Sequence, residues 1–149
     1  MVPVRIPTNL VAASLATLIA YGGWQLIQGD IESSRREAAT RKERIRFAAE
    51  LRVRSALAGA ATSKSGWVHE VNPDWFRAIP RNHLLPGSHS WLEIATPDQA
   101  RLRHPMKRTA DGPDEAAWWY NPATGDLRAR VPTHGSQEAA NTLYAMVNN

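Results

Sequence analysis

Ala117-Trp118-Trp119-Tyr120-Asn121-Pro122-Ala123-Thr124-Gly125-Asp126-Leu127-Arg128-Ala129-Arg130-Val131-Pro132 reads as a β-hairpin. An aromatic arm and an alternating arm flank a Pro- and Gly-containing turn, the pattern of two antiparallel strands joined by a short loop. Side chains alternate across a strand, so Leu127, Ala129 and Val131 point to one face and Arg128 and Arg130 to the other. Neighbouring residues Trp118 and Trp119 cannot share a face in a regular strand. One of them is therefore expected on the outer face or against a neighbour, unless a bulge turns both inward. An outward Trp beside Arg128 and Arg130 has the composition of a binding hot spot, and Trp118, Trp119, Tyr120, Arg128 and Arg130 are the first candidate contact surface.

Outward from the hairpin, Trp91-Leu92-Glu93-Ile94-Ala95 alternates as a short strand, and Arg101 to Met106 reads as another, closed by Pro105. A C-terminal amphipathic helix is predicted after Ser136, with Ala140, Leu143, Tyr144 and Val147 on one face. Between residues 59 and 90, glycines, serines and prolines mark loops into which the aromatic residues fold back.

The N-terminal part has a different character. Leu10 to Ile27 is an apolar run without formal charge, long enough as a helix to cross a hydrocarbon core of about 30 Å. A cleaved signal peptide, with Arg5 as its basic region and Ser14-Leu15-Ala16 as the cut, is the competing reading, but it leaves a short apolar region. From Asp30 to about Gly59 no Pro and no internal Gly occurs, and Ala, Arg, Glu and Leu dominate, so one continuous helix is expected. Its first half, Glu32 to Arg44, reads as a solvated spacer with Glu32/Arg36 and Glu37/Arg41 at ion-pair spacing. In its second half Ile45, Ala48, Ala49, Val53, Ala56 and Leu57 form an apolar stripe to be covered by the head, by a partner helix, or by both. Ile45, Ala49 and Val53 are the second group of candidate contact residues.

The expected layout is a short tail at 1–8, a transmembrane helix at 9–28, a charged stalk at 29–60 and a small head at 61–149 containing the hairpin 117–132. The expected fold class is α+β: a long N-terminal helix, transmembrane then stalk, packed on a small antiparallel sheet, with a short C-terminal helix. A long helix of this kind, with the hairpin Trp118-Trp119-Tyr120-Asn121-Pro122-Ala123-Thr124-Gly125-Asp126, resembles the type IV pilins and the pseudopilins of type II secretion. No Gly precedes Gly22 and no acidic residue precedes Asp30, so the leader and the membrane glutamate of that class have no counterpart here. The resemblance implies a non-enzymatic, single-pass protein of a bacterial inner membrane, its head in the periplasm, acting as a structural or assembly component of an envelope filament or secretion complex. Its partners would be the lipid bilayer and other pilin-like or membrane subunits met through the helix, in a homo- or hetero-oligomer.

Charge bears on partners and orientation. The formal charge of +4 comes from the N-terminal part and the Asp30–Ala60 segment, which has eight Lys/Arg against five Asp/Glu, while residues 61–149 carry nine of each. A basic segment beside a bilayer accounts for this excess, and without a groove-reading helix or aromatic RNA platform no nucleic acid is expected as a partner. The same basic flank, by the positive-inside rule, favours a cytoplasmic head, so a bitopic scaffold subunit stands beside the pilin-like reading. A membrane-tethered module that stacks a ligand or glycan on its tryptophans is a third.

Catalytic chemistry has no foothold in the sequence. The absence of cysteine excludes disulfides and thiolate zinc sites. His69, His83, His89, His104 and His134 are scattered through loops without ligand spacing. Asp114 and Glu115 lack further oxygen donors at a cation-loop spacing, and no serine sits in a nucleophile elbow. No enzyme activity, cofactor or metal is expected.

Overall fold

The computed structural model describes the backbone of residues 8–133 and 135–149, and the side chains of 23–25, 28–133 and 135–149. Helix α1 spans Thr8–Leu57, strand β1 Leu92–Ile94, β2 Trp118–Asn121, β3 Asp126–Ala129, and helix α2 Gln137–Asn148. The class is α+β. The chain divides into two units, Met1–Arg35 and Arg36–Asn149.

Among the described residues, no helix is long and apolar enough to cross a membrane. This overturns the reading of a transmembrane helix and of a single-pass inner-membrane protein with a periplasmic head. Of the apolar run Leu10–Ile27, the side chains at 10–22, 26 and 27 lie outside the described residues, as do residues 1–7 of the expected tail at 1–8. In the first unit Trp24 and Ile31 are exposed to 60% and 42%.

The end of α1 follows from local chemistry. Gly59 adopts φ +62°, and the N–H groups of Gly59 and Ala60 return to the carbonyls of Ala56 and Ser55 at 3.1 and 3.0 Å. That is the paired closure of a left-handed C-terminal cap, which glycine adopts without steric cost.

In the second unit, α1 buries Thr40, Phe47, Leu51 and Ser55. These positions fall seven, four and four residues apart, one or two turns of a 3.6-residue helix, and so lie on one side of α1, which faces the head. Phe47 contacts Phe76 and Trp118 edge-on, at centroid separations of 5.3 and 5.8 Å, and stacks on Trp91 at 5.8 Å. Aromatic pairs of this kind contribute about 1 kcal/mol each beyond the area they bury. The expected solvated spacer is correspondingly shorter than predicted. Thr40 is fully buried, and Arg41, though exposed, donates through Nε to the Met146 carbonyl of α2 at 3.0 Å.

The sheet order is β1-β2-β3, and the sheet is mixed. Trp118, Trp119, Tyr120 and Asn121 pair antiparallel with Ala129, Arg128, Leu127 and Asp126, as the hairpin reading requires. Strand β1, however, runs parallel to β2, with Leu92 opposite Trp118 and Ile94 opposite Tyr120. This corrects the purely antiparallel expectation. Parallel neighbours cannot be joined by a tight turn, so residues 95–117 must cross a face of the sheet to bring β2 alongside β1. Arg101–Met106 lies in that crossover as turns and bends, not as the expected strand.

Helix α2 starts at Ser136, whose hydroxyl accepts from the Ala139 N–H at 3.1 Å. It buries Ala140, Leu143, Tyr144 and Val147, the face read from the sequence.

Candidate functional site

The hairpin was the first candidate contact surface, and the structure places its aromatic residues inside. Trp118, Trp119 and Tyr120 are all 0% exposed. The even register between β2 and β3 contains no bulge, so the two tryptophans do point to opposite faces. Trp118 faces α1, and its Nε1 donates to the Pro80 carbonyl at 3.0 Å. Tyr120 shares that face; its hydroxyl donates to the Val68 carbonyl at 2.9 Å, and burial pushes its pKa upward. Trp119 lies on the opposite face, which the crossover covers.

The covering segment, Gln99–Lys107, is a strap fastened by the polar side chains of that face. Asn121 Nδ2 donates to the carbonyls of Gln99, Ala100 and Leu102 at 3.2, 3.1 and 2.7 Å. Arg128 Nε donates to the Arg103 carbonyl at 2.9 Å, and Arg130 Nε to the Lys107 carbonyl at 3.0 Å. Arg130 also holds Glu93 of β1 at 2.7 Å and is itself only 5% exposed. Arg128 further pairs with Asp126 at 2.7 Å and donates to the Asn148 carbonyl at 2.8 Å. Arg128 and Arg130 are thus fasteners, and the outward Trp/Arg hot spot expected from composition does not exist. Trp119 Nε1 under the strap has no hydrogen-bond partner among the described residues.

Asn82 fastens the loops on the α1 side. Its Nδ2 donates to the carbonyls of Ala117 and Arg130 at 3.0 and 2.7 Å, and its Oδ1 accepts from the Leu84 N–H at 3.0 Å. Thr40 Oγ1 accepts from the His83 N–H at 3.1 Å, which ties the same loop to α1. Sequence reading missed Asn82, Asn121 and Asn148. An asparagine beside aromatic residues carries no periodic signal, although Asn121 closing an aromatic run is where a turn-stabilising amide is found.

Trp67, Trp75 and Trp91 are partly buried against the core, while Trp24 in the first unit is exposed. Trp91 packs on Phe47 and Phe76, and Trp67 packs against the core with the Arg52 guanidinium 5.5 Å from its ring. Among the described residues no group of three or more His, Asp or Glu side chains is placed to hold a metal. Asp114 is exposed, and Glu115 is occupied by Lys107 and by the N–H groups of Asp111 and Gly112. These bonds hold its carboxyl at about 2, below the usual carboxylate range.

The second group of candidates stands open. Ile45 and Val53 are 60% and 57% exposed, and Ala49 and Ala56 between and beyond them are exposed too. At 3.6 residues per turn these four share one side of α1, and Thr40, Phe47 and Leu51 lie on the other. Ala48 lies between the two sides and packs partly against the core. The head therefore covers a different stripe from the one the sequence marked most visibly. Glu43, Arg46, Glu50 and Arg54 run beside the open stripe as a chain of ion pairs, with Arg46 at 2.5 Å from Glu43 and 3.0 Å from Glu50, and Arg54 at 3.8 Å from Glu50.

No protein-family profile, curated protein or solved structure matches this chain.

Proposed function

We propose that the protein is a non-enzymatic assembly component that associates with a second copy of itself through α1. The observation that carries this reading is the open apolar side of α1, Ile45, Ala49, Val53 and Ala56, with Leu57 also exposed at the helix end, whereas Phe47 and Leu51 are the large apolar side chains of α1 that the head buries. Apolar positions at four- and three-residue spacing, with large aliphatic residues at 45 and 53 alternating with alanines that let helices approach closely, and edged by paired charges, suit helix-on-helix packing. The pilin-like organisation read from the sequence, a long N-terminal helix whose C-terminal part packs on a small head, supports the same reading at the level of architecture. A non-enzymatic role is further supported by side chains that close on one another: the titratable groups of the sheet are spent on carbonyls and ion pairs.

The chain has no cysteine, so Ala49→Cys supplies its only thiol. The test is oxidative crosslinking of full-length Ala49→Cys, with exposed Ser88→Cys as the control. A disulfide-linked dimer from Ala49→Cys alone, lost on adding Ile45→Glu and Val53→Glu, is the expected result. Equal crosslinking from both thiols, or none from Ala49→Cys at concentrations where the protein sediments as an oligomer, overturns the proposal. Crosslinking decides where mass alone does not, because the apolar run Leu10–Ile27 is an alternative route to association.

A further inference from the structure

A second surface, independent of α1, lies between the strap and α2. Residues Arg103, Met106, Lys107 and Arg108 form one wall of an open groove, and Gln137 and Asn141, one helical turn apart on α2, form the other; its volume is about 730 Å³. Among the described residues, no carboxylate lines it. Lys107 is engaged by Asp111 and Glu115, and Arg103 by Asp126 at 3.4 Å, yet the Arg103 side chain remains 74% exposed. Arg108 makes no ion pair among the described residues; its guanidinium lies 5.1 Å from the centroid of the Tyr144 ring.

We propose that this groove binds an acidic peptide segment of a partner protein. Lys107 is neutralised by its two carboxylates, but Arg108, without an ion-pair partner among the described residues, and the largely exposed Arg103 leave the concavity a positive potential that attracts and orients carboxylates. The wall is pre-organised, since the carbonyls of Arg103 and Lys107 are held by Arg128 and Arg130, so little ordering cost is left for binding. His104, at the base of the groove with Nδ1 3.2 Å from the Tyr144 hydroxyl, has its pKa lowered by burial and by Arg128 and Arg108, in keeping with that potential. The volume exceeds what one phosphate or carboxylate fills. Met106, 83% exposed at the lip, offers the flexible thioether common on protein-binding surfaces, and the amides of Gln137 and Asn141 suit a peptide backbone. Nucleic acid fits less well, because no Phe, Tyr or Trp ring lines the groove among the described residues, and the nearby Tyr144 ring is buried and already faced by Arg108 and His104.

The probe is a fluorescein-labelled Glu-Leu-Glu-Asp-Leu-Glu peptide, titrated by anisotropy into the full chain, with the amide peptide Gln-Leu-Gln-Asn-Leu-Gln as control. Saturable binding of the acidic peptide alone, weakened by salt, is expected. Arg103→Gln with Arg108→Gln should weaken it by about tenfold, as expected for the loss of two exposed charge contacts. Met106→Glu, at an exposed position that leaves the fasteners intact, should weaken it also, so a folding defect in the double variant does not decide the outcome. Ile45→Glu should leave it unchanged, which separates this site from the α1 surface. Equal binding of both peptides, no saturation, or undiminished binding in a folded double variant overturns the proposal. Displacement by equimolar inorganic phosphate, or tighter binding of single-stranded DNA, overturns it as well.

Discussion

The side-chain amide of Asn148 sits against Ala129 as a neighbouring strand would: Nδ2 donates to the Ala129 carbonyl at 2.9 Å, and Oδ1 accepts from the Ala129 N–H at 2.8 Å. One residue at the end of α2 thereby satisfies both polar groups of a buried position on the edge strand. An unpaired edge of this kind is otherwise a template for pairing with other chains. Replacement by Ala leaves two buried backbone groups without partners, and a loss of roughly 2–4 kcal/mol is expected. Urea denaturation of Asn148→Ala checks this; a midpoint unchanged from the parent would mean that water reaches the edge.

Asn121 should act on the strap more than on the sheet. In Asn121→Ala the carbonyls of Gln99, Ala100 and Leu102 lose their shared donor, while the β2–β3 ladder keeps its backbone bonds. Hydrogen exchange at the Trp119 indole N–H should accelerate well before exchange at the β2 backbone amides does, as expected for local rather than global opening. Parallel acceleration of both would show that strap and sheet open as one unit.

Gly125 has no substitute. It adopts φ +75° in the β2–β3 turn, and a Cβ there would stand 2.0 Å from Trp67 Cε2. Gly125→Ala combines left-handed backbone strain with a ring displaced from the core, and should destabilise by more than about 2 kcal/mol. In a double-mutant cycle Trp67→Leu should relieve part of the penalty, leaving the backbone part. Strict additivity would refute the steric account.

Acid should loosen the 107–115 segment. Glu115, whose carboxyl is held at about 2 chiefly by Lys107, then by the Asp111 N–H and more weakly by the Gly112 N–H, is a group with a depressed folded-state pKa. Its contribution is present above the unfolded carboxylate value, near 4.3, and is lost as pH falls toward about 2. Asp111, lowered by its bonds to Thr133 and Lys107, acts in the same direction. The melting temperature of the parent should therefore drop more steeply than that of Glu115→Gln between those two pH values. Parallel profiles would assign acid sensitivity elsewhere, with Glu43, lowered chiefly by Arg46, the next to test.

Local patterns in the chain were readable, and long-range pairing was not. The β2–β3 hairpin follows from alternation around a Pro/Gly turn, and α2 from Ala140, Leu143, Tyr144 and Val147 at helical spacing. The strand over Leu92–Ile94 was visible too, but not its direction, because three residues of alternation carry no information about which way a neighbour runs. That single unknown led to the misplaced hot spot: with antiparallel pairing the second face of β2 is open, and with parallel pairing the returning chain must cover it. The stripe on α1 shows a different limit. Ile45, Ala49 and Val53 are as periodic as Phe47 and Leu51, and periodicity cannot say which side the head will take.

The strap is also the crossover, and both of its ends are built into the same sheet. When its side-chain fasteners let go, residues 95–117 remain a closed loop anchored at β1 and β2. The liberated segment stays at a high effective concentration beside its own binding face, and closure of such a loop costs entropy that grows only logarithmically with its length. Exposure of Trp119 is therefore expected to be brief and self-reversing, with this face closing again without unfolding of the other.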